Sequence, residues 1–548
     1  MAGPAPGIRM PPMPASVVLR GGTVYDGTGA PGVPADLVVD GDRLAGIVPT
    51  GASGTADVDA QVIDASGLAV APGFINVLSH AWGSLQVDPT GASDLFQGVT
   101  TEVFGEAFSL GPGGPDFARM MTAWGVDDAV KVDFPRLSDG LSHMESRGVG
   151  LNVASFIGGH NLRVLAGGFD DRPLEPAELD RLRALVAEEM QEGALGIGTA
   201  LIYPPGRFAR TDELVSLSEV VGRYGGTYIS HMRSEGDQFL ECLEELLHIG
   251  RAASVRTEVY HLKAAGRHNW PKMKLAIERI EAARSSGQPV SADMYPYTAG
   301  GTSLASSIPP SYHVGGMDAL LARLADPAQR ELMAADIAKP SDDFENLYLA
   351  AGGGEGILFF NDLDDGTPAR GRRLSELAAD LGLEEIHALL EIVARQPSTG
   401  VGYFIIDEDN VRLGLSQPWV SVGSDAGAHQ AIAPFTDSAT HPRTYGTFAR
   451  VLGRYCRDEG LFPLSEAVRR MTSLPAQNLG LADRGTLRAG ALADVVVFDP
   501  ATVIDRATFT DSHQYATGVR HVLVNGTPVV RDGALTHAKP GRRLRRAA

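Results

Sequence analysis

The chain has 548 residues, 44% of them hydrophobic and 21% charged, with 47 basic and 67 acidic side chains for a net charge of −20. A diffuse negative balance repels nucleic acid and anionic membranes, so neither is expected as a partner, although a local basic pocket could still receive a small anionic substrate. Two cysteines, Cys242 and Cys456, exclude a disulfide framework and a cysteine-rich zinc module.

Residues 1–16 (MAGPAPGIRMPPMPAS) are Pro-rich and lack the apolar core of a signal peptide, so a flexible N-terminal segment is expected. No stretch approaches the roughly 18 uninterrupted apolar residues of a spanning helix, which predicts a soluble, cytoplasmic protein. From Val17 to about Val70 the runs SVVLRGGTVYD, ADLVVDGDRLAGIV and AQVIDASGLAV read as strands, with Asp40–Gly41 as a hairpin signal. LNVASFIGGH is then a strand, PAELDRLRALVAEEMQEG an amphipathic helix, ALGIGTALIY a strand and DELVSLSEVVGRYGG a helix closed by glycine. The alternation continues through YISHMRSEGD, a helix reaching Leu247, TEVYHLKAAG, the helix WPKMKLAIERIEAARSSG and VSADMYPYTAGG.

The rhythm is lost from about 300 to 396, which predicts an insertion acting as a lid or cap. AGGGEG inside it is not a phosphate loop, since no Lys-Ser/Thr follows. GYFIIDED and VSVGSDAG are expected to resume the barrel. The strand texture of the first segment returns in ADVVVFDP and HVLVNGTPVV, where Asn525–Gly526 marks a second hairpin. The basic tail GRRLRRAA reads as a frayed end. The pattern therefore predicts an α/β chain: a (β/α)₈ barrel over 71–484, and a small β-sandwich assembled from 17–70 and 485–540. Cys242 and Cys456 fall in helical runs and are expected to pack rather than react.

Four apolar runs end abruptly in polar chemistry, placing His231, His261 with Lys263, Asp293 with Tyr295, and Asp425 at strand ends. Functional residues at successive strand ends mark the catalytic face of a (β/α)₈ barrel.

The ordered series VAPGFINVLSH, QGVTTEVFGEAFSLGP, YPPGRF, SHMRSEGD, YHLKAAG, DMYPYTAGGTS, GSDAG, HPRTYGTFARVLGRY and MTSLPAQNLGLADRGTLRAGALADVVVFDP resembles the amidohydrolase superfamily. Within it the series is most similar to the N-acyl-D-amino-acid deacylases, and the likeness spans nearly the whole chain except the insertion. The resemblance implies a metal-bearing barrel with a split β-domain. It also implies hydrolysis of the amide bond of N-acyl-D-amino acids, or of related small acylamino acids and dipeptides, by a zinc-dependent enzyme.

Two motifs depart from the family pattern. The first barrel strand usually ends in His-x-His, but here Leu78 stands at the first position and only His80 remains, with Asn76 where Asp is usual. Glu106 occupies the place of the usual Cys ligand; a carboxylate can still complete a His₂Glu zinc set with an open fourth position. The resemblance thus implies His231, His261 and Glu106 as metal ligands, and Leu78 suggests one Zn²⁺ per chain, with manganese or iron as other options. Glu106 could instead pair with an arginine, and His80 could stand outside the ligand set or face substrate.

Asp425 matches the acid–base residue, able to take a proton from water and return one to the leaving amine. Lys263, Tyr295 and Arg443 are expected to bind the substrate, with the two cations gripping its carboxylate. Tyr203 and His160 are expected as further pocket walls. Two alternatives stand beside this reading: an amidohydrolase for another C–N bond, such as a cyclic amide, carbamoyl or natural-product amide, and a non-catalytic binding protein on the same fold.

Overall fold

The computed structural model describes residues 16–52, 60–123, 126 and 130–546, so residues 1–15 of the expected flexible segment lie outside the described residues. Strands are numbered in chain order. Both chain ends build one hydrogen-bonded sheet. Its first part is β1 (Val17–Val24), β2 (Val33–Asp40), β3 (Arg43–Pro49), β4 (Gln61–Asp64) and β5 (Ala69–Pro72).

The barrel strands follow: β6 (Phe74–Asn76), β7 (Val99–Phe104), β8 (Asn152–Ser155) continued by β9 (Ile157–Gly158), β10 (Gly196–Ala200), β11 (Thr227–His231), β12 (Arg256–Val259) and β13 (Val290–Met294). An insertion carries β14 (Gly300–Ser303), β15 (Ile357–Phe359) and β16 (Gly400–Tyr403), after which β17 (Val420–Val422) is the last barrel strand. The C-terminal part adds β18 (Val495–Phe498), β19 (Val519–Val524), β20 (Thr527–Arg531) and β21 (Ala534–Leu535).

Parallel pairing runs β6-β7-β8 and then β9-β10-β11-β12-β13-β17, and a parallel bridge between Ser79 and Ala426 returns β17 to β6. Counting β8 and β9 as one interrupted strand, this is the closed eight-stranded (β/α)₈ barrel of an α/β protein. The strands are short and, apart from the partly buried Arg256 at the start of β12, buried along their length, as parallel strands covered on both faces must be. The helices between them turn their apolar stripe inward. Pro176–Gln191, for example, starts with Pro after a reciprocal Glu175–Glu178 capping box and buries Leu182, Val186 and Met190.

The small β-domain is a nine-stranded sheet in the order β21-β20-β19-β18-β5-β1-β2-β3, with β4 on β1. Its core joins Val17, Leu19, Leu37 and Val39 to Val495, Val497 and Leu523. Asn525 and Gly526 link β19 to β20 with φ of 47° and 79°, the two left-handed positions that a type I′ hairpin demands. Cys242 and Cys456 are both free and buried. Among the described residues no helix is long and apolar enough to cross a membrane.

Two sequence expectations are corrected. GYFIIDED does not resume the barrel: its Gly400–Tyr403 is the central strand of the insertion's antiparallel sheet, between β14 and β15. A short apolar run carries no record of which sheet it joins. The described part of the tail, residues 541–546, is also not frayed. Arg543 bridges to Val153, the Arg546 guanidinium donates to the Tyr224 carbonyl, and Leu544 is buried beside Ile75, Val77 and Val103. Leu544→Ala should therefore destabilise the protein by about 2–5 kcal/mol, the usual cost of emptying a leucine site. A thermal unfolding midpoint equal to that of the parent would show that the tail carries no packing energy.

Candidate active site

A cavity of about 360 Å³ opens over the C-terminal ends of the barrel strands. The barrel contributes His80, Glu106, Tyr203, His231, Glu235, His261, Lys263, Tyr295 and Asp425 to its wall. The insertion contributes Thr302, Ile308, Met317, Phe344 and Glu345 among others, so it roofs the site.

Strand-end geometry aims the polar side chains inward. His231 is the last residue of β11, while His261 and Asp425 follow β12 and β17 in left-handed backbone with φ of 33° and 52°. Side chains rarely adopt that conformation, and such strain clusters at functional sites. The His261 N–H is fixed by donating to Asp293 Oδ1 at 3.0 Å. Glu106 sits two residues past β7, after Gly105 with its φ of 113°. A side chain at Gly105 would collide with the Phe156 backbone.

Three donors converge. Glu106 Oε1 lies 3.2 Å from His231 Nδ1 and 3.1 Å from His261 Nε2. All three residues are buried, and the three donor atoms lie within 4.8 Å of one another. Around a tetrahedral zinc ion with bonds near 2.1 Å, donors stand about 3.4 Å apart, so this His₂Glu set fits zinc in both chemistry and spacing. Burial would raise the Glu106 carboxyl, but the His261 charge and hydrogen bonds from three histidines hold it well below the usual carboxylate range. Burial also pushes the His231 imidazole down, toward the neutral form a ligand needs.

A carboxylate that the sequence reading passed over supports this set. Glu235, four residues beyond His231, is buried with Oε1 3.0 Å from His261 Nδ1 and Oε2 2.7 Å from Lys263 Nζ. A carboxylate on the outer nitrogen of a metal-binding histidine fixes its tautomer and ring orientation. Burial works against ionisation of Glu235, yet His231, Lys263 and His261 together hold its pKa at about 2.

On the other side of Glu106, His80 Nε2 lies 3.0 Å from Glu106 Oε2 and 3.0 Å from Asp425 Oδ1. Burial opposes its charge, but the two carboxylates raise its pKa to about 9. Leu78 is buried among Ile75, Val77 and Val103, and offers no donor. Asp425 Oδ2 lies 2.6 Å from Arg443 Nη1. Burial would raise this carboxyl, and the Arg443 guanidinium lowers it below the usual range.

Tyr203 packs edge-on against His231 with ring centroids 5.5 Å apart. Tyr295 lines the cavity between Lys263 and Arg443, and its buried hydroxyl has no hydrogen-bond partner among the described residues.

Of the expected substrate contacts, His160 and Arg443 lie outside the cavity lining, and Lys263 lines it with its charge already partnered. His160 does not line the cavity; it is buried behind Tyr203, edge-on to Phe108 at 4.8 Å, and burial lowers its pKa to about 3. Arg443 stays behind Asp425, stacked over Tyr295, with Nη2 donating to the Gly301 carbonyl. Lys263 reaches the wall, but its ammonium donates to Glu235 and the His261 carbonyl and lies 2.7 Å from His261 Nδ1. Buried cations near carboxylates pair with them first, because an unpaired buried charge is too costly. Arg207, from YPPGRF, also lines the cavity. It donates only to the Arg233 and Asp343 carbonyls, and no carboxylate pairs with it among the described residues. Arg233 is already matched to Glu245 at 2.8 Å.

The family model described as "Amidohydrolase family" matches residues 354–530. The D-aminoacylase of Alcaligenes xylosoxydans xylosoxydans is 36% identical over 541 residues, covering 98% of each chain. The N-acyl-D-glutamate deacylase of Bordetella bronchiseptica, solved with zinc and a phosphonate mimic of the tetrahedral intermediate, superimposes with a TM-score of 0.81 at 31% identity, over 97% of this chain and 100% of that one. A solved D-aminoacylase, described as activated by one metal of its binuclear centre and attenuated by the second, superimposes with a TM-score of 0.80 at 34% identity, over 97% of this chain and 100% of that one.

Proposed function

The chain belongs to the amidohydrolase family, in the branch of D-aminoacylase and N-acyl-D-glutamate deacylase, and from that premise we propose that it is a metal-dependent deacylase of N-acyl-D-amino acids or related small acylamino acids and dipeptides. The observation that carries this reading is the meeting of Glu106, His231 and His261 around one point, with Asp425 joined to the same carboxylate through His80. The non-catalytic alternative gives no reason for donors and an ionised Asp425 to converge in one cavity. The D configuration rests on the relatives.

Glu106, His231 and His261 would hold a divalent ion, zinc by donor type, which supplies carbonyl polarisation and a lowered pKa for water. Asp425 takes the proton from the attacking water and hands it to the departing nitrogen. Arg443 keeps it ionised for the first transfer, and His80 fixes Oδ1 at the cavity edge. Tyr295 offers its unpartnered hydroxyl as a donor to a substrate oxygen. Tyr203 holds the His231 ring in place. Trp82, Phe108, Ile308 and Phe344 form an apolar wall that receives the substrate's apolar part and keeps bulk water out.

The substrate carboxylate meets Arg207, since the charges of Lys263 and Arg443 are already matched. Charge-assisted hydrogen bonds are worth roughly 1.5–3 kcal/mol, or about 10–100-fold in affinity. N-acetyl-D-amino acid amides should therefore show about 10–100-fold lower kcat/KM than the free acids. Arg207→Met should raise KM for the acids by a similar factor and leave the amides unchanged. Amides cleaved as readily as acids would remove carboxylate recognition and favour an amidohydrolase acting on another C–N bond.

A further inference from the structure

The insertion does more than roof the cavity. Between its helices Pro327–Ile337 and Leu347–Ala350 the chain crosses the cavity wall, and there Glu345 is buried, only 5% exposed. Its Oε2 accepts the Glu235 N–H at 2.6 Å, and the Gly236 N–H also points to its carboxylate. The Glu235 carbonyl in turn accepts the Ala265 N–H at 2.7 Å, two residues beyond Lys263. The strap is anchored at both sides of Glu345. The Arg207 guanidinium donates to the Asp343 carbonyl, and the Asn346 amide donates to the Ile337 carbonyl at 2.8 Å.

The placement is costly on electrostatic grounds. Burial, and then the like charge of Glu235, raise the Glu345 carboxyl to about 7, and its Oε1 has no hydrogen-bond partner among the described residues. A buried acid beside a second buried acid needs a compensating gain, and here the backbone hydrogen bonds are the visible one.

We infer that Glu345 is a positioning residue through which the insertion fixes the metal site: by holding the Glu235–Gly236 backbone, it sets the Glu235 carboxylate against His261 Nδ1 and Lys263 Nζ. This inference rests on the reading of His261 as a metal ligand. Partners one step removed from a metal ligand typically govern affinity or activity by 10–100-fold, and Glu345 acts one step further out.

The test uses the full-length enzyme, measuring zinc affinity by chelator competition alongside kcat and KM. Glu345→Ala should weaken zinc binding about 10-fold and lower kcat by a similar factor, with KM within about twofold. Glu345→Gln, whose amide oxygen still accepts both N–H groups, should restore most of each. Phe344→Ala, which alters the same strap's contact with the cavity, should raise KM and leave zinc affinity unchanged. Should the alanine variant fold poorly, Glu345→Asp, with its charge withdrawn by one methylene, must show the same losses in weaker form. A wild-type enzyme that binds no zinc would overturn the underlying site reading. A zinc-binding, active wild type matched in affinity and kcat by Glu345→Ala, or a glutamine variant as impaired as the alanine one, would overturn the role given to Glu345.

Discussion

Replacing Asp425 by asparagine is expected to lower kcat by about 10²–10⁴ while the bound metal stays in place, the usual worth of a general acid–base group. Asparagine keeps the size and polarity of the side chain but cannot take up a proton. The structure gives reasons to separate this residue from primary ligation. Its two oxygens lie 3.0 Å from His80 and 2.6 Å from Arg443, and the fully buried Glu106–His231–His261 set is complete without it; His80, Glu106 and Asp425 form a second, less buried cluster of donors within 4.8 Å of one another. Turnover measured on protein with known metal content decides the matter. A metal-replete variant with full activity would remove Asp425 from the chemistry, and loss of the metal itself would make it a ligand.

His231→Ala and His261→Ala should each abolish metal binding and activity together. A metal's stabilisation of developing charge is worth several kcal/mol, and each 1.36 kcal/mol is tenfold in rate, so turnover should fall by about 10³ or more. The two variants should differ in stability. His261 Nδ1 faces Glu235 at 3.0 Å, so His261→Ala strips a close partner from a buried carboxylate and leaves Lys263 at 2.7 Å and the more distant His231 to match it. His231 approaches Glu235 only at 3.5 Å. Metal analysis after dialysis, with thermal unfolding of each variant, separates these effects. Either variant retaining stoichiometric zinc would break the assignment.

Much of this was legible because barrel chemistry sits where hydrophobicity stops. His231, His261 and Asp425 each end an apolar run, and the alternation of strand and helix around them gave the barrel, though it also drew in GYFIIDED, which belongs to the insertion. What sequence reading could not supply was pairing. Lys263 and Arg443 read as free cations because nothing in YHLKAAG or HPRTYG names the carboxylate opposite; the fold brings Glu235 to one and Asp425 to the other. Glu235 received no role in the reading of SHMRSEGD, although its place four residues after His231 was a usable signal. His160 also ends a strand-like run, but a helix begins at Gly159 and carries its ring behind the wall. Glu345 lies in the stretch where no resemblance or periodicity guides the reader, and only the folded insertion brings it to the Glu235 backbone.

The most direct test of a metal-dependent deacylase built on Glu106, His231 and His261 is stepwise addition of zinc to metal-stripped enzyme. Deacylation of an N-acetyl-D-amino acid is followed throughout, and the ion is located by anomalous diffraction. Activity should rise with the first equivalent, and that ion should lie between Glu106, His231 and His261. Full activity without metal, or a first ion seated between His80 and Asp425 away from both His231 and His261, would contradict the account.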